Sequence, residues 1–404
     1  MKPFPHYATQ TLLAALSYCI SSPLMALENP QQVDATALLG SLSDGPNYRI
    51  TSSVQSDGLF RIFVFDTSYG QYQTKGTGYA KVFIQELRSL NALEKMSKSD
   101  VFTKSLTNAA TAPIKYGADL IINPIGTIRR SASGVSNMVD RVSAGLSNQD
   151  GSRSSTTDSL LGVDDARRQI AVGLGIDPYT QFPPLSEKLT EIANAAALGG
   201  ISVKVALAAI PGGVGTVIST AGSADSAGNT LRDKTSAQIS QDVKGSLARL
   251  GVSGSTISLF IQNRSYSPAD LLAISRALGR LRAGNTQIFI ERAAAATNRA
   301  TANFQRQRAE FLAERSSQLG GISSFVSVGG FPLNRTQDGN IIAAFPFDDI
   351  SWTGVTERTA TAVTSEIKRT HALAQKPIFA TSKGLSATAS AELKKLGWQI
   401  VQLK

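Results

Sequence analysis

The sequence predicts an α+β fold, predominantly helical: a small N-terminal antiparallel sheet with a helix on it, a central helical domain, and a small C-terminal α/β unit. Three patterns carry that expectation. Two alternating runs, 48–54 and 59–65, flank Ser56-Asp57-Gly58, and Asp-Gly between alternating runs signals a hairpin. From 159 to 320 apolar residues recur at the three- and four-residue spacing of a helix face. Beyond 321 short β-rich runs alternate with helical ones, which argues strand–helix–strand units.

The first 26 residues have the outline of a secretory signal peptide: Lys2, an apolar run over 12–20, Pro23, and a small residue, Ala26, at the cleavage position. Uncleaved, the segment would be an anchor, although its apolar run is short for a spanning helix. Leu16-Ser17-Tyr18-Cys19 approaches a lipoprotein signal, but Tyr18 is too bulky for that processing. Cleavage would remove Cys19, the single cysteine, and His6, leaving His371 as the sole imidazole. A chain so trimmed can form no disulfide and no zinc site of the His/Cys kind. A Ser-His-Asp triad could use only His371.

The 404 residues are 42% hydrophobic and only 17% charged. Gly, Ala, Ser and Thr fill the difference, so helices should pack closely. Lys and Arg number 40 against 30 Asp and Glu, a formal charge of +10. For an exported protein that excess suits anionic envelope surfaces such as phospholipid or lipopolysaccharide; solubility alone would also account for it. The cations are dispersed and no recognition motif occurs, so no nucleic-acid partner is expected.

Residues 27–45 read as an extended lead-in. The hairpin of 48–65 follows, then a third strand around Tyr69 to Tyr72, and a helix with Phe83, Leu87, Leu90 and Leu93 on one face. Asn123-Pro124 opens a helix whose stripe is Ile125, Ile128, Ala132, Val135, Val139 and Val142. Its small apolar residues favour docking on the core over an interfacial membrane role. The polar run 147–158 reads as a linker between a unit at 46–146 and a helical domain at 159–320. In the latter Ala166, Ile170 and Leu174 form one helix face closed by Gly175. Asp177-Pro178-Tyr179 makes a turn, and Ser186, Leu189 and Ile192 begin the next helix. Ser267-Pro268-Ala269-Asp270 is a capped helix start. Asn285 opens a longer helix through Phe304 towards Leu312, with Arg299, Arg306, Arg308 and Arg315 on a solvated outer face. In the C-terminal unit, 321–404, strands are expected at 325–328, 341–345, 377–380 and 398–401, and helices at 356–373 and 386–396.

Gly212-Gly213-Val214-Gly215-Thr216 imitates a phosphate-binding loop. A Walker loop needs Lys where Thr216 stands, and Pro211 removes an amide just before it. The stretch reads better as a bend between two small-residue apolar segments, because Pro-Gly-Gly breaks a helix from both sides. Between Ile192 and Ala224 the only charge is Lys204. A buried hairpin is the favoured reading of 192–224, and membrane insertion the alternative.

Ser365 and Lys368 match S-x-x-K, a nucleophile and base one helical turn apart, but Glu366 and the exposed face argue for a solvated stretch. Asp348-Asp349 could hold a cation, yet neighbours on an extended segment point apart, which argues a structural role. Trp352 and Trp398 are expected in the C-terminal core. No catalytic residue, cofactor-binding residue or metal ligand is therefore assigned, and no cofactor is expected. The segments LLGVDDARRQIAVGLGIDPYTQFPPLSEKLTEIANAA, AAIPGGVGTVIS and GLSATASAELKKLGW resemble a group of exported bacterial proteins to which no function is assigned. The resemblance covers roughly 160–404 and implies a bacterial envelope setting. The expectation is a periplasmic or secreted protein, with membrane association open, that acts by binding or structural association rather than as an enzyme. A membrane-inserting protein and a Ser-Lys hydrolase are the alternatives.

Overall fold

A computed structural model describes residues 27–100, 102–104, 155–197, 203, 224–370 and 376–403. The signal-like leader, the helix at Asn123-Pro124, most of the linker, the bend at Pro211 and His371 lie outside the described residues.

The N-terminal sheet is antiparallel, as expected. It contains β1 (Val33–Asp34), β2 (Asp44–Gly45), β3 (Tyr48–Ile50), β4 (Ser53–Ser56), β5 (Arg61–Thr67) and β6 (Gly70–Lys75), in the order β1-β4-β5-β3-β2 with β6 also on β5. The β4–β5 hairpin pairs Gln55 with Ile62 and Ser56 with Arg61. Asp57 closes it, its Oδ1 accepting the N–H groups of Leu59 and Phe60. The lead-in is not extended throughout: α1 (Ala35–Leu39) and a 3-10 turn (Gly40–Ser43) occupy it. Asp34 is the reason, since its carboxylate accepts Thr36 N–H at 2.8 Å as an N-cap ahead of good helix formers.

Helix α2 (Thr77–Ser97) lays Phe83, Leu87, Leu90 and Leu93 over Phe63 and Phe65 of the sheet. The same core continues into α3 (Ser155–Gly173) and α4 (Pro183–Ala197), through Ile170, Leu174, Leu185, Leu189 and Ile192. The apolar grouping thus runs across the stretch read as a linker, and Ser155–Asp158 already belong to α3. Arg167 ties that pair together, donating to the Pro178 carbonyl, Ser186 Oγ and Thr190 Oγ1.

The helical middle holds α5 (Ala224–Asp233), α6 (Ser236–Arg249), α7 (Gly254–Gln262), α8 (Pro268–Leu281), α9 (Thr286–Ala294) and α10 (Arg299–Arg315). The single long helix expected from Asn285 is two. Asn298 has an extended backbone and its side chain accepts from Thr301 N–H, so it caps α10 and ends any continuity with α9.

The C-terminal sheet comprises β7 (Ile322–Val328), β8 (Phe331–Thr336), β9 (Ile341–Ala344), β10 (Ile378–Thr381) and β11 (Gln399–Gln402), ordered β11-β10-β9-β8-β7. β7, β8 and β9 form an antiparallel meander, while β9, β10 and β11 run parallel. The parallel crossovers pass through α11 (Gly354–Thr370) and α12 (Ala387–Lys395), the geometry that parallel neighbours require. β8 is absent from the sequence reading because Pro332 and Asn334 are poor strand residues; neighbours on both sides hold it in register. Ile322, Phe325, Ile342 and Ala344 face the helical middle. Val326, Leu333, Ile341, Phe379 and the two tryptophans form a second layer with Ile367 and Leu393. Among the described residues no helix is long and apolar enough to cross a membrane.

Candidate functional site

The chemistry of the described chain concentrates on α10, where Arg299, Arg306 and Arg308 are not the solvated face the sequence suggests, while Arg315 stays at the surface and donates to Gln318 Oε1 at 3.1 Å. Each helical residue advances about 100°, so Arg299 and Arg306, seven apart, share one side. That side meets the N-terminus of α8. Here Ser267 and Asp270 form the expected capping box: Ser267 Oγ accepts Asp270 N–H, and Asp270 Oδ2 accepts Ser267 N–H at 2.9 Å. The same carboxylate, fully buried, accepts Arg299 Nη1 on Oδ2 and Arg306 Nη1 on Oδ1 at 3.1 Å. Arg306 also reaches Glu310 through Nε at 3.2 Å. Burial would raise the Asp270 pKa, but the two guanidiniums outweigh it and hold the carboxyl below its usual value.

Two further carboxyls close on this junction from the other core. Glu86 of α2 accepts a hydrogen bond from Thr180 Oγ1, and its burial, reinforced by Asp177 and Asp270, pushes its pKa up to about 7. Asp177 accepts Tyr179 N–H at 2.8 Å and is raised by burial and by Asp270. Burial raises the pKa of the Tyr79 phenol on α2, and the nearby Arg299 charge partly opposes that rise. The cluster joins α2, the 177–180 turn, α8 and α10, so it fixes the N-terminal core against the helical middle. Among the described residues no three His, Cys, Asp or Glu side chains are placed to hold a metal ion; these acids face arginines, hydroxyls and backbone N–H groups.

Arg308, about 200° round the helix from Arg306, points to the C-terminal sheet. It is fully buried, over the rings of Phe345 at 4.6 Å, Phe331 at 5.2 Å and Phe289 at 5.5 Å from the centroids. Its Nη2 donates to the Pro332 carbonyl, while Nε and Nη1 have no acceptor among the described residues. Burial, with Arg292 nearby, lowers its pKa to about 9, which leaves it cationic at neutral pH. Cation–π contacts return about 0.5–2 kcal/mol each, whereas desolvating an ion costs several kcal/mol.

A third arginine group lies at the surface, with Arg280 and Arg282 exposed and Arg276 half-buried. Arg276, Arg280 and Arg282, with Gly279, line an open depression of about 700 Å³ at the end of α8. Arg282 ends the helix in the left-handed region, φ 50°, its N–H donating to the Leu278 carbonyl. Arg276 Nη2 donates to Thr230 Oγ1 at 2.6 Å, and its Nη1 is buried with no acceptor among the described residues.

The paired acids singled out in the sequence do not converge on a cation. Asp348 Oδ2 accepts Arg61 N–H at 3.0 Å and Thr77 N–H at 2.8 Å, while Asp349 faces the Arg61 guanidinium at 3.3 Å. Gly76, the residue before α2, offers no side chain, so Asp348 caps that helix from 271 residues away. Ser365 and Lys368 are both exposed on α11, where Glu366 pairs with Arg369 at 2.7 Å. Trp352 and Trp398 are buried as expected, the latter donating to Thr364 Oγ1 at 2.8 Å. Of the arginine groupings, only the capping box at Ser267-Asp270 left a local signal. Comparison with protein-family models, curated proteins and solved structures finds no match to the chain.

Proposed function

We propose that this chain is an exported envelope protein that acts by binding, and that the face of Arg276, Arg280 and Arg282 is its contact with an anionic surface. The observation that carries the reading is the convergence of three arginines of one helix end on a single open depression. The net charge of +10 and the leader-like residues 1–26 support it. A planar guanidinium recognises phosphate oxygens well and is weakly hydrated, so it pairs readily at an interface. Each basic residue near an anionic leaflet contributes about 1 kcal/mol. Three together contribute about 3 kcal/mol, or about a hundredfold in affinity.

Vesicle sedimentation tests this. The full chain should pellet with vesicles containing phosphatidylglycerol, should remain in solution with pure phosphatidylcholine, and should release as salt rises. Replacing Arg276, Arg280 and Arg282 by Gln together should weaken binding about a hundredfold. Undiminished binding by that triple variant would remove the arginine face from the account, and recovery of the full chain with residues 1–26 intact from cytosol would remove export.

A further inference from the structure

The two sheets do not protect all their edges alike. In the N-terminal sheet β1 and β2 are two residues each, and β6 ends on Lys75; very short edge strands and edge lysines both discourage a further strand. In the C-terminal sheet β7 carries a bulge between Ile322 and Ser324. The Gly284 backbone also covers it, its N–H donating to the Ser323 carbonyl at 2.8 Å and its carbonyl accepting Phe325 N–H at 2.9 Å. β11, at the opposite edge, has none of these devices. Gln399, Ile400, Val401 and Gln402 pair with β10 residue for residue, with no bulge, proline, glycine or charge among them. Gln399 N–H donates to the Pro377 carbonyl at 2.9 Å and Leu403 N–H to the Thr381 carbonyl at 2.8 Å. Backbone groups alternate sides along a strand, so those of Ile400 and Gln402 face outward, and among the described residues no strand pairs with them. Ile400 and Val401 are half-buried, the first in the layer of Trp398 and the second against the core of the helical middle. Both apolar layers therefore stop part-covered at this edge.

The charge around that edge has one sign. From 376 to 404 the chain carries Lys376, Lys383, Lys394, Lys395 and Lys404, and its one acid is Glu392. Glu392 is buried and pairs with Lys395 at 2.6 Å. Lys376, Lys383 and Lys394 are exposed and form no ion pair among the described residues. Lys376 precedes Pro377, the acceptor of Gln399 N–H, and Lys394 stands just before the Gly397 turn into β11, so both lie at the start of the strand. The Lys383 carbonyl accepts Gln402 Nε2 at 3.4 Å, which puts Lys383 at its end. A second copy pairing antiparallel along β11 would bring these lysines against one another, and like charges facing across an interface are costly. We propose that β11 takes up an extended acidic peptide segment of a partner protein as a sixth strand of this five-stranded sheet. The backbone of the segment bonds to Ile400 and Gln402, and apolar side chains at its centre extend the two layers. Asp or Glu at its ends meets Lys376 and Lys394 on one side and Lys383 on the other. None of these residues belongs to the arginine depression, so either reading can fail alone.

The test measures fluorescence anisotropy of a labelled synthetic peptide, Asp-Glu-Thr-Val-Ile-Val-Glu-Asp, as the purified full chain is added. Binding should saturate and weaken as salt rises. A peptide of the same charge with Pro-Pro for the central Val-Ile cannot complete the ladder and should bind about tenfold more weakly. Gln402→Pro removes an outward N–H that β10 does not use; it should weaken binding about tenfold with Tm unchanged. Replacing Lys376, Lys383 and Lys394 by Gln together should also cost about tenfold, and the Arg276, Arg280 and Arg282 triple variant should bind the peptide as wild type does. Amide exchange on the unaltered chain needs no variant: the peptide should slow exchange at Ile400 and Gln402 and leave β7 unchanged. No saturable binding, equal binding of the proline peptide, protection elsewhere with none at Ile400 and Gln402, or undiminished binding by either the Gln402→Pro or the lysine variant would each overturn the assignment. A dimer whose residues 399–402 are protected before any peptide is added would give the edge to a second copy and overturn it as well.

Discussion

Replacing Glu86 by Gln should flatten the stability of this protein between pH 5 and 8. The carboxyl belongs to α2 and is enclosed by Thr180, Arg299, Asp177 and Asp270, and its pKa in the folded chain is about 7 against an ordinary 4.5. The sign follows from which state holds the proton. As pH rises past 4.5 the unfolded chain ionises this group first, while the folded chain keeps it neutral until about 7. The favourable contribution is complete below 4.5 and is lost as pH climbs through 7. At 1.36 kcal/mol per unit the full loss is about 3 kcal/mol. Gln keeps a carbonyl oxygen for the Thr180 hydroxyl and never ionises. Urea unfolding of both proteins at pH 5, 6, 7 and 8 should therefore give a small difference at pH 5 that grows to about 3 kcal/mol in favour of the variant at pH 8. Taking the difference cancels the other displaced carboxyls, Asp348 raised and Glu28 lowered. Two curves that stay parallel across that range would show that Glu86 ionises freely, and the argument from burial would be wrong.

Asp270→Asn should keep much of the capping box yet strand Arg299 and Arg306 against a neutral group; a loss of about 3–5 kcal/mol in urea unfolding is expected, and one below about 1 kcal/mol would mean that the pairs are superficial. Asp348→Ala removes the acceptor of Arg61 and Thr77 N–H groups and should cost about 2 kcal/mol by the same measurement, with amide exchange accelerated at the first turn of α2. Gly58→Ala should destabilise by about 1–3 kcal/mol. Gly58 lies at φ +94°, and an added Cβ would stand 2.6 Å from Thr353 Cγ2; thermal melting unchanged by this substitution would show that the hairpin does not dock there.

Local pattern is strong enough in several places to specify the structure before any contact is known. Asp57-Gly58 between alternating runs announces the β4–β5 hairpin, and Phe83, Leu87, Leu90 and Leu93 announce the buried face of α2. Ser267 and Asp270 announce the start of α8. Each of these signals involves residues within a turn or two of one another, where backbone geometry alone determines which groups meet. Asn298 is a local signal of the same kind that a continuous apolar period concealed.

The sequence by itself determined the α+β class, the α2 face, the hairpin and the capped start of α8, because short-range periodicity and turn chemistry are sufficient for them. Only the tertiary structure decided what the charged residues do. Arg299 and Arg308 lie nine positions apart on one helix, yet one neutralises Asp270 and the other is enclosed by Phe289, Phe331 and Phe345. Asp348 caps a helix 271 residues earlier in the chain. The reason is physical: the state and partner of a charge depend on which distant surface removes it from water, and that surface exists only once the sheets and helices have closed on one another.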